Sequence, residues 1–210
     1  MNEQEIRILL AELAASLFAR GFSVGSAGNI SARLPDGYLM TPTNSSLGRL
    51  DPDRLSKLDS EFRHIGGDKP SKEVFMHRAF YQARNDAGAV VHLHSTHATA
   101  VSCLTDVDAS NPIPPLTPYF VMRIGRRMPI IPYYRPGDAA MEPAINAAAR
   151  NARAVLLANH GPVVSGANLT DAVYAAEELE EAAKLFLMIR TQSPRLLNVS
   201  QVGDLLDKFG

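Results

Sequence analysis

The order of apolar and polar positions predicts that helices and short strands alternate along this chain. Apolar residues at helical spacing predict an amphipathic helix over residues 3–20, which Gly21 ends. Further helices are predicted over residues 72–84, 98–104 and 139–151, and over residues 171–190, which are rich in the helix formers Ala, Glu and Leu. Four prolines exclude regular secondary structure from residues 111–118.

Short apolar runs between turns predict the strands. Residues 30–33 and 38–41 flank a Pro-Asp-Gly turn and indicate a hairpin. The runs 89–91, 130–131 and 154–157 predict further strands, and residues 162–165 are a partner for the last of these. Because strands and helices are mixed throughout, we predict a single α/β domain over residues 1–210, a sandwich with helices over a central sheet. Its core spans about residues 3–190, and residues 191–210 form a tail or short helix.

Composition and charge narrow the class of protein. The chain has 210 residues, is 46% hydrophobic and carries 21 basic against 22 acidic residues, which is ordinary for a globular enzyme. We therefore expect no nucleic-acid partner and no membrane association. The acidic N-terminus lacks a signal-peptide pattern, and a lone Cys103 permits no internal disulfide, so we expect a cytoplasmic protein. Cys103 itself is interpreted as a small buried apolar residue.

Three histidines are the main candidates for chemistry. His92 and His94 follow the apolar run 89–91, and on one strand their side chains would point to the same side. His160 follows the apolar run 154–157. A single strand histidine is most often a structural polar group, but three at the ends of two strands indicate a metal site assembled in space. Such a site on Zn²⁺ leaves coordination positions open for a substrate.

Three polar segments are candidates for binding an anion. Ser71 is a possible helix N-cap with Glu73 in the first turn, and the exposed helix N–H groups together with Lys72 suit an anion. The turn at residues 25–29 and the hydroxyl-rich loop at residues 41–46 have the composition of phosphate-binding loops. Taken singly, each segment is equally consistent with a solvated helix start or an exposed loop.

Together these segments resemble the class II aldolase/adducin family. They occur in the family's order and at its spacing, and the resemblance covers residues 3–190. The matching stretches are Ser-Ala-Gly-Asn-Ile-Ser at 26–31, Met-Thr-Pro-Thr at 40–43, Lys-Pro-Ser-Lys-Glu at 69–73, Val-His-Leu-His-Ser-Thr-His-Ala at 91–98 and Asn-His-Gly-Pro at 159–162.

The resemblance implies an α/β/α sandwich with a central, largely antiparallel sheet, and a cyclic homotetramer with active sites between subunits. It implies Zn²⁺ as the cofactor, although the same ligands suit Mn²⁺ or Co²⁺. It assigns the metal to His92, His94 and His160, with Glu73 as an additional ligand and as the catalytic acid/base. Tyr119 matches a tyrosine that donates a proton in the neighbouring subunit's site. The positions that match the phosphate cup are Gly28, Asn29, Thr43, Asn44 and Ser71.

Within the family, Lys72 and the loop at residues 43–52 are most like the branch that decarboxylates 3-oxo-tetronate 4-phosphates. The hypothesis is loss of CO₂ through a Zn-stabilised enediolate to give dihydroxyacetone phosphate. Lys72 adds positive charge for a substrate that carries both a phosphate and a carboxylate. The alternative is a sugar-phosphate aldolase of the fuculose or ribulose phosphate type, which releases an aldehyde from a ketose 1-phosphate. A more distant alternative is a non-catalytic, adducin-like scaffold.

Some features have no single interpretation in the sequence. His77 is interpreted as structural, and His97 either orients a ligand imidazole or is merely packed. The arginines at 123, 126 and 127 either line a subunit interface or meet the substrate carboxylate. The sequence does not choose between erythronate- and threonate-derived substrates.

Overall fold

The computed structural model describes residues 1–209, which form alternating helices and strands. The helices are α1 (Glu3–Ala19), α2 (Val74–Ala83), α3 (Thr96–Ser102), α4 (Pro118–Ile124), α5 (Glu142–Ala149), α6 (Leu169–Ile189) and α7 (Val199–Phe209). The strands are β1 (Asn29–Leu34), β2 (Gly37–Met40), β3 (Ser56–Asp59), β4 (His64–Gly66), β5 (Ala89–His92), β6 (Ile130–Ile131), β7 (Ala154–Leu157) and β8 (Gly161–Gly166).

The strands form one sheet in the order β4-β3-β2-β1-β5-β8-β7-β6. Neighbouring strands pair antiparallel, apart from the parallel pair β6 and β7. The expectation of a largely antiparallel central sheet is therefore confirmed. Strand β5 lies between β1 and β8, so the segment that leads to the first histidine is fully paired on both sides.

Alternation along the strands gives the sheet two apolar faces. In β5, Val91 packs into one core and Val90 into the other. The core that contains Val91 is completed by α1, α3, α4 and α6 (hereafter the α6 face), and the core that contains Val90 is completed by α2 and α5 (hereafter the α2 face). The chain is thus an α/β/α sandwich, as expected from the sequence.

The predicted elements are largely confirmed, and the omissions have physical reasons. Strands β3 and β4 were missed because neither contains an apolar run. β3 has a single apolar residue, Leu58, and the edge strand β4 has two exposed residues and a third that is half-buried. Helix α4 was missed although its start carries a recognisable signal. The Thr117 side chain accepts a hydrogen bond from the N–H of Phe120, and Pro118 occupies the first turn.

Two other findings concern Cys103 and the C-terminal segment. The interpretation of Cys103 as buried is wrong, because it is the exposed C-cap residue of α3. Helix α7 lies in the segment predicted as a tail or short helix. Across residues 1–209, no helix has both the length and the apolar character needed to cross a lipid bilayer.

Candidate metal centre

The three candidate histidines converge at one end of the sheet. The Nε2 atoms of His92 and His94 are 3.2 Å apart, and those of His94 and His160 are 3.0 Å apart. Donor atoms at the corners of a tetrahedral Zn²⁺ site lie roughly 3.3 Å from one another, given Zn–N bonds of about 2.0–2.1 Å. The spacing of the three ring nitrogens therefore suits a divalent cation between them.

The position of His94 differs from the sequence prediction, which placed it on the same strand as His92. Strand β5 ends at His92, so His94 lies two residues beyond the strand rather than on it. Just past the end of the strand, the Leu93 N–H still donates to the Pro162 carbonyl of β8, at 3.3 Å. His94 then directly precedes Ser95, the N-cap residue of α3.

His160 is placed by a tight turn between β7 and β8. Asn159 has φ 56° and the His160 N–H donates to the Leu157 carbonyl, so the chain reverses within three residues. Gly161 then passes against the backbone beside the first two histidines, where a Cβ atom on Gly161 would lie 2.3 Å from the Leu93 carbonyl oxygen. Only glycine permits this approach.

The hydrogen bonding and burial of the histidines favour neutral rings. The buried Nδ1–H of His92 donates to the Pro162 carbonyl at 2.9 Å, which leaves the Nε2 lone pair facing the other two rings. Burial, followed by the nearby His160 and His94, holds the pKa of His92 well below its ordinary value. Burial also lowers the pKa values of His94 and His160. Neutral imidazoles with converging lone pairs are the donor set that a cation requires.

Glu73 completes a four-residue cluster with the histidines. Its Oε2 lies 3.6 Å from Nε2 of His92, and its Oε1 lies 3.8 Å from Nε2 of His160. The Asn29 side-chain amide donates to Oε2 at 2.8 Å. The carboxylate is thus held beside the histidines, with one hydrogen-bond donor fixing its orientation.

The sequence prediction about the start of α2 needs correction. Ser71 is not the N-cap, because α2 begins at Val74 and Glu73 occupies the cap position without a side-chain cap bond. Instead, the Ser71 hydroxyl accepts from the Glu73 N–H at 3.2 Å. Ser71 therefore orders the turn before the helix, and Lys72 on this turn is exposed.

The predicted phosphate-cup segments lie next to one another. The Thr43 N–H donates to the Lys69 carbonyl at 2.9 Å, and the Ser71 N–H donates to the Thr41 carbonyl at 3.3 Å. Asn44 adopts φ 56° in the same loop. Gly28 has φ 80°, and a Cβ atom there would lie 2.9 Å from the His92 carbonyl oxygen, so this turn packs against the end of β5. The structure thus brings the sequence-distant loops to the histidine end of the sheet.

Tyr119 lies elsewhere on the surface. It is in the first turn of α4, is 65% exposed and borders a cleft with Arg20, Tyr174 and Glu178. No hydrogen bond between described residues joins it to the histidine cluster. Nearby Arg123 pairs with Asp171 at 3.3 Å.

A buried glutamate that sequence reasoning missed fixes α3. Glu180 of α6 accepts from the backbone N–H groups of His97 and Ala98, each at 2.8 Å, and so caps the helix that begins just after His94. The His97 ring also donates from Nδ1 to Glu180, at 2.8 Å. Of the two interpretations of His97, the structure shows the packed one, with its ring bound to a capping carboxylate. The available sequence signal was an acidic residue on the helix face it shares with Ala176, four residues before it, and Ala183, three residues after it.

Comparisons with known proteins agree with this architecture. Residues 8–187 match the family described as the class II aldolase and adducin N-terminal domain. The chain is 51% identical over 206 residues to a 3-oxo-tetronate 4-phosphate decarboxylase of Haemophilus influenzae, with 98% of each chain covered. It is 36% identical to an L-fuculose phosphate aldolase of Escherichia coli (strain CFT073), with 90% of this chain and 86% of the other covered. The crystal structure of YgbL from Klebsiella pneumoniae superposes with a TM-score of 0.94 at 47% identity, covering 98% of this chain and 99% of the other.

Replacing Gly161 tests whether the turn before β8 positions His160. In Gly161→Ala, the added Cβ would overlap the Leu93 carbonyl oxygen, so the turn must shift and carry His160 with it. We expect Zn²⁺ affinity, measured by competition with a chelating dye, to fall about tenfold or more. Gly203→Ala is the matched control, since nothing lies within 4 Å of a Cβ at that position in α7. Equal affinities for the two variants would contradict the assignment.

The buried histidines also predict how pH changes the stability of the metal-free protein. Burial lowers the pKa of His77 to about 3, and lowers those of His92, His94 and His160. In the unfolded chain these rings titrate at about pH 6.5. Below that pH, the unfolded state therefore binds more protons than the native state. The free energy of unfolding should therefore fall as pH drops below about 6.5, by about 1.4 kcal/mol per pH unit for each histidine that stays neutral.

Urea denaturation in excess chelator measures this effect. Stability is expected to change little between about pH 7 and 8 and to decline from about pH 6.5 to 5, a range in which few ordinary carboxylates titrate. Equal stability at about pH 7.5 and pH 5.5 would show that the rings are not held neutral.

Proposed function

This chain belongs to the class II aldolase and adducin family, and on that premise we propose that it decarboxylates a 3-oxo-tetronate 4-phosphate to dihydroxyacetone phosphate and CO₂. The observation that most directly supports this reaction is the cluster of three histidine nitrogens and a carboxylate in a chain closely related to decarboxylases. Relatives that are 46–51% identical carry the decarboxylase name, whereas the fuculose phosphate aldolases are 35–36% identical. Both groups support a lyase.

Members of this family generally depend on a divalent metal. We propose Zn²⁺ for this chain, with Mn²⁺ and Co²⁺ as ions that suit the same donors. His92, His94 and His160 would hold it, with Glu73 as an additional ligand. The bound cation would act as a Lewis acid towards the negative charge that develops on the substrate as the carbon–carbon bond breaks.

The chain's own residues account for the remaining chemistry. CO₂ departs from C1, the electron pair of the broken bond stays at C2, and C2 must then receive a proton. Glu73 sits at the cluster and is our candidate for holding and delivering that proton. The loops that carry Gly28, Asn29, Thr43, Asn44 and Ser71 would bind and orient the phosphate end. Lys72 lies exposed directly before Glu73, where it adds charge for a doubly anionic substrate.

The alternatives differ in what the site releases. A retro-aldol reaction would leave the same developing charge at the same cluster but would release an aldehyde, and the aldolase relatives make it the runner-up. A non-catalytic scaffold has no use for a converged metal-ligand set, so it is the least favoured reading.

We also propose that the protein assembles as a cyclic homotetramer whose active sites lie between subunits. The position of Tyr119 supports this, because it is exposed and lies away from the histidines of its own chain. In the assembly it would reach the neighbouring site, where it is the second candidate, beside Glu73, for delivering the proton to C2. The single-domain organisation over residues 1–210 and the cytoplasmic location stay predictions.

The proposed reaction is tested by offering the purified, Zn²⁺-loaded protein both classes of substrate. We expect CO₂ release from a 3-oxo-tetronate 4-phosphate, with dihydroxyacetone phosphate formed in equal amount. Glu73→Gln should lower kcat by about 100-fold or more, because it removes the group that carries the proton. Absence of CO₂ release, combined with cleavage of a ketose 1-phosphate, would replace the decarboxylase by the aldolase.

Mixed assemblies test whether a site is shared between subunits. We expect Glu73→Gln and Tyr119→Phe to be weakly active alone. After the two are unfolded together and refolded as a mixture, some sites combine an intact Glu73 with an intact Tyr119 from the neighbour. Activity of the mixture should therefore exceed the sum of the separate activities several-fold. A merely additive mixture would place Tyr119 outside the shared site.

A further inference from the structure

A buried row of polar side chains runs between β1 and α2 and ends at Glu73. Asn29 and Ser31 lie two residues apart on β1, and Glu73, His77 and Tyr81 lie four residues apart on and just before α2. The two sets interleave through four hydrogen bonds. These are Glu73 Oε2 to Asn29 Nδ2 (2.8 Å), Asn29 Oδ1 to His77 Nε2 (2.5 Å), His77 Nδ1 to Ser31 Oγ (2.7 Å) and Ser31 Oγ to Tyr81 Oη (2.8 Å).

The interleaving follows from the dimensions of the two elements. Four helical residues advance about 6.0 Å, and two strand residues advance about 6.6 Å. Side chains at i, i+4 and i+8 of the helix therefore stay in step with alternate residues of a strand that runs alongside it. Asn29 and Ser31 project to the α2 face, because Ser31 pairs across the sheet with Val90, which packs on that face.

The chemistry of the end groups gives the row a single direction. An ionised Glu73 carboxylate only accepts, so the Asn29 amide must present Nδ2 to it and Oδ1 to His77. Because Oδ1 only accepts, His77 carries its proton on Nε2 and offers the Nδ1 lone pair to the Ser31 hydroxyl. Ser31 in turn accepts from Tyr81. Each group donates towards Glu73, and reversing any one of them would break a neighbouring bond.

Burial makes this arrangement costly to disturb. Asn29, Ser31, His77 and Tyr81 are each at most 4% exposed, so water does not substitute for a lost partner. Burial also lowers the pKa of His77 to about 3, which agrees with a neutral ring holding one proton. A buried hydrogen-bond network that only stabilised the fold would have no need to end on a carboxylate beside three converging histidines.

We infer that His77 is a positioning residue that acts through Asn29 to orient the Glu73 carboxylate towards the metal cluster, with Ser31 and Tyr81 fixing the His77 tautomer. The inference rests on the proposed function for the role of Glu73 in turnover. Without His77, the buried Asn29 Oδ1 loses its donor, and the amide is held only through its bond to Glu73. The amide would then shift, and the carboxylate bonded to it would move away from the histidines.

The first experiment compares two substitutions of His77 for Zn²⁺ affinity and for kinetics. His77→Leu removes both hydrogen bonds, whereas the amide of His77→Gln can still donate to Asn29. In His77→Leu, Zn²⁺ affinity should weaken about 10- to 100-fold and kcat should fall by a similar factor, with KM changed less than about threefold. In His77→Gln, most of both losses should be recovered. Equal losses in the two variants would overturn the inference, because the bond to Asn29 would then be irrelevant.

A matched pair of smaller substitutions covers the case in which His77→Leu fails to fold. Ser31→Ala removes the hydroxyl that fixes the His77 tautomer. Ser165→Ala removes an equally buried hydroxyl in β8 that bonds only the Arg153 carbonyl, at 3.0 Å. Ser31→Ala should weaken Zn²⁺ binding about three- to tenfold, and Ser165→Ala should leave it within about twofold. Equal Zn²⁺ affinities in these two variants would overturn the inference.

A double substitution shows whether the effect passes through Glu73. In a Glu73→Gln background, adding His77→Leu or Ser31→Ala should weaken Zn²⁺ binding by less than about twofold further. A further loss of tenfold would show that the row acts on the metal by another route. Zn²⁺ affinity needs no substrate, so these measurements decide the role of the row even if the wild-type protein releases no CO₂. That separate result would count against the proposed function alone.

Discussion

The hydrogen bond from His92 Nδ1 to the Pro162 carbonyl is the interaction on which the rest of the site depends. It is buried, 2.9 Å long, and joins the end of β5 to the start of β8. On one side it selects the ring tautomer that turns Nε2 towards His94 and His160. On the other it holds the β8 strand in the position from which the preceding turn brings His160 to the cluster. This hydrogen bond therefore fixes the tautomer of one candidate ligand, His92, and the position of another, His160.

Burial sets the charge state of the histidines in the cluster. The histidines lose water and are driven to the neutral form, which is the form that binds a cation. Glu73 is half-buried and accepts a hydrogen bond from the Asn29 amide at 2.8 Å. The cluster thus combines neutral imidazoles with a carboxylate held by a partner, which is a donor set that suits a divalent cation.

The two sides of the sheet divide the work of positioning. On the α6 face, Glu180 caps α3 and so fixes the chain just after His94. On the α2 face, the row of hydrogen-bonded side chains from Tyr81 to Asn29 ends at the Glu73 carboxylate. Both sets of contacts are buried and polar, and both join elements that are distant in sequence. The row ends at Glu73, and the Glu180 contacts hold the chain just after His94, so each set acts on a candidate metal ligand. Their cost of burial is offset because every donor in them has an acceptor.

The sequence by itself determined the class of fold, the main elements and the candidate site residues, because these leave local signals. Apolar spacing indicated α1, a stretch rich in Ala, Glu and Leu indicated α6, and histidines after two apolar runs indicated the cluster. The spacing of the loops gave the family, which the comparisons confirm. Only the tertiary structure decided that β5 ends before His94, that Ser71 is not a helix cap, that Cys103 is exposed and that His77 bonds to Asn29. Those outcomes depend on strand register and on the packing of α2 along β1, which bring residues 44 to 50 positions apart in the sequence within hydrogen-bond distance. The spacing of apolar residues within one segment does not show which other segment it packs against.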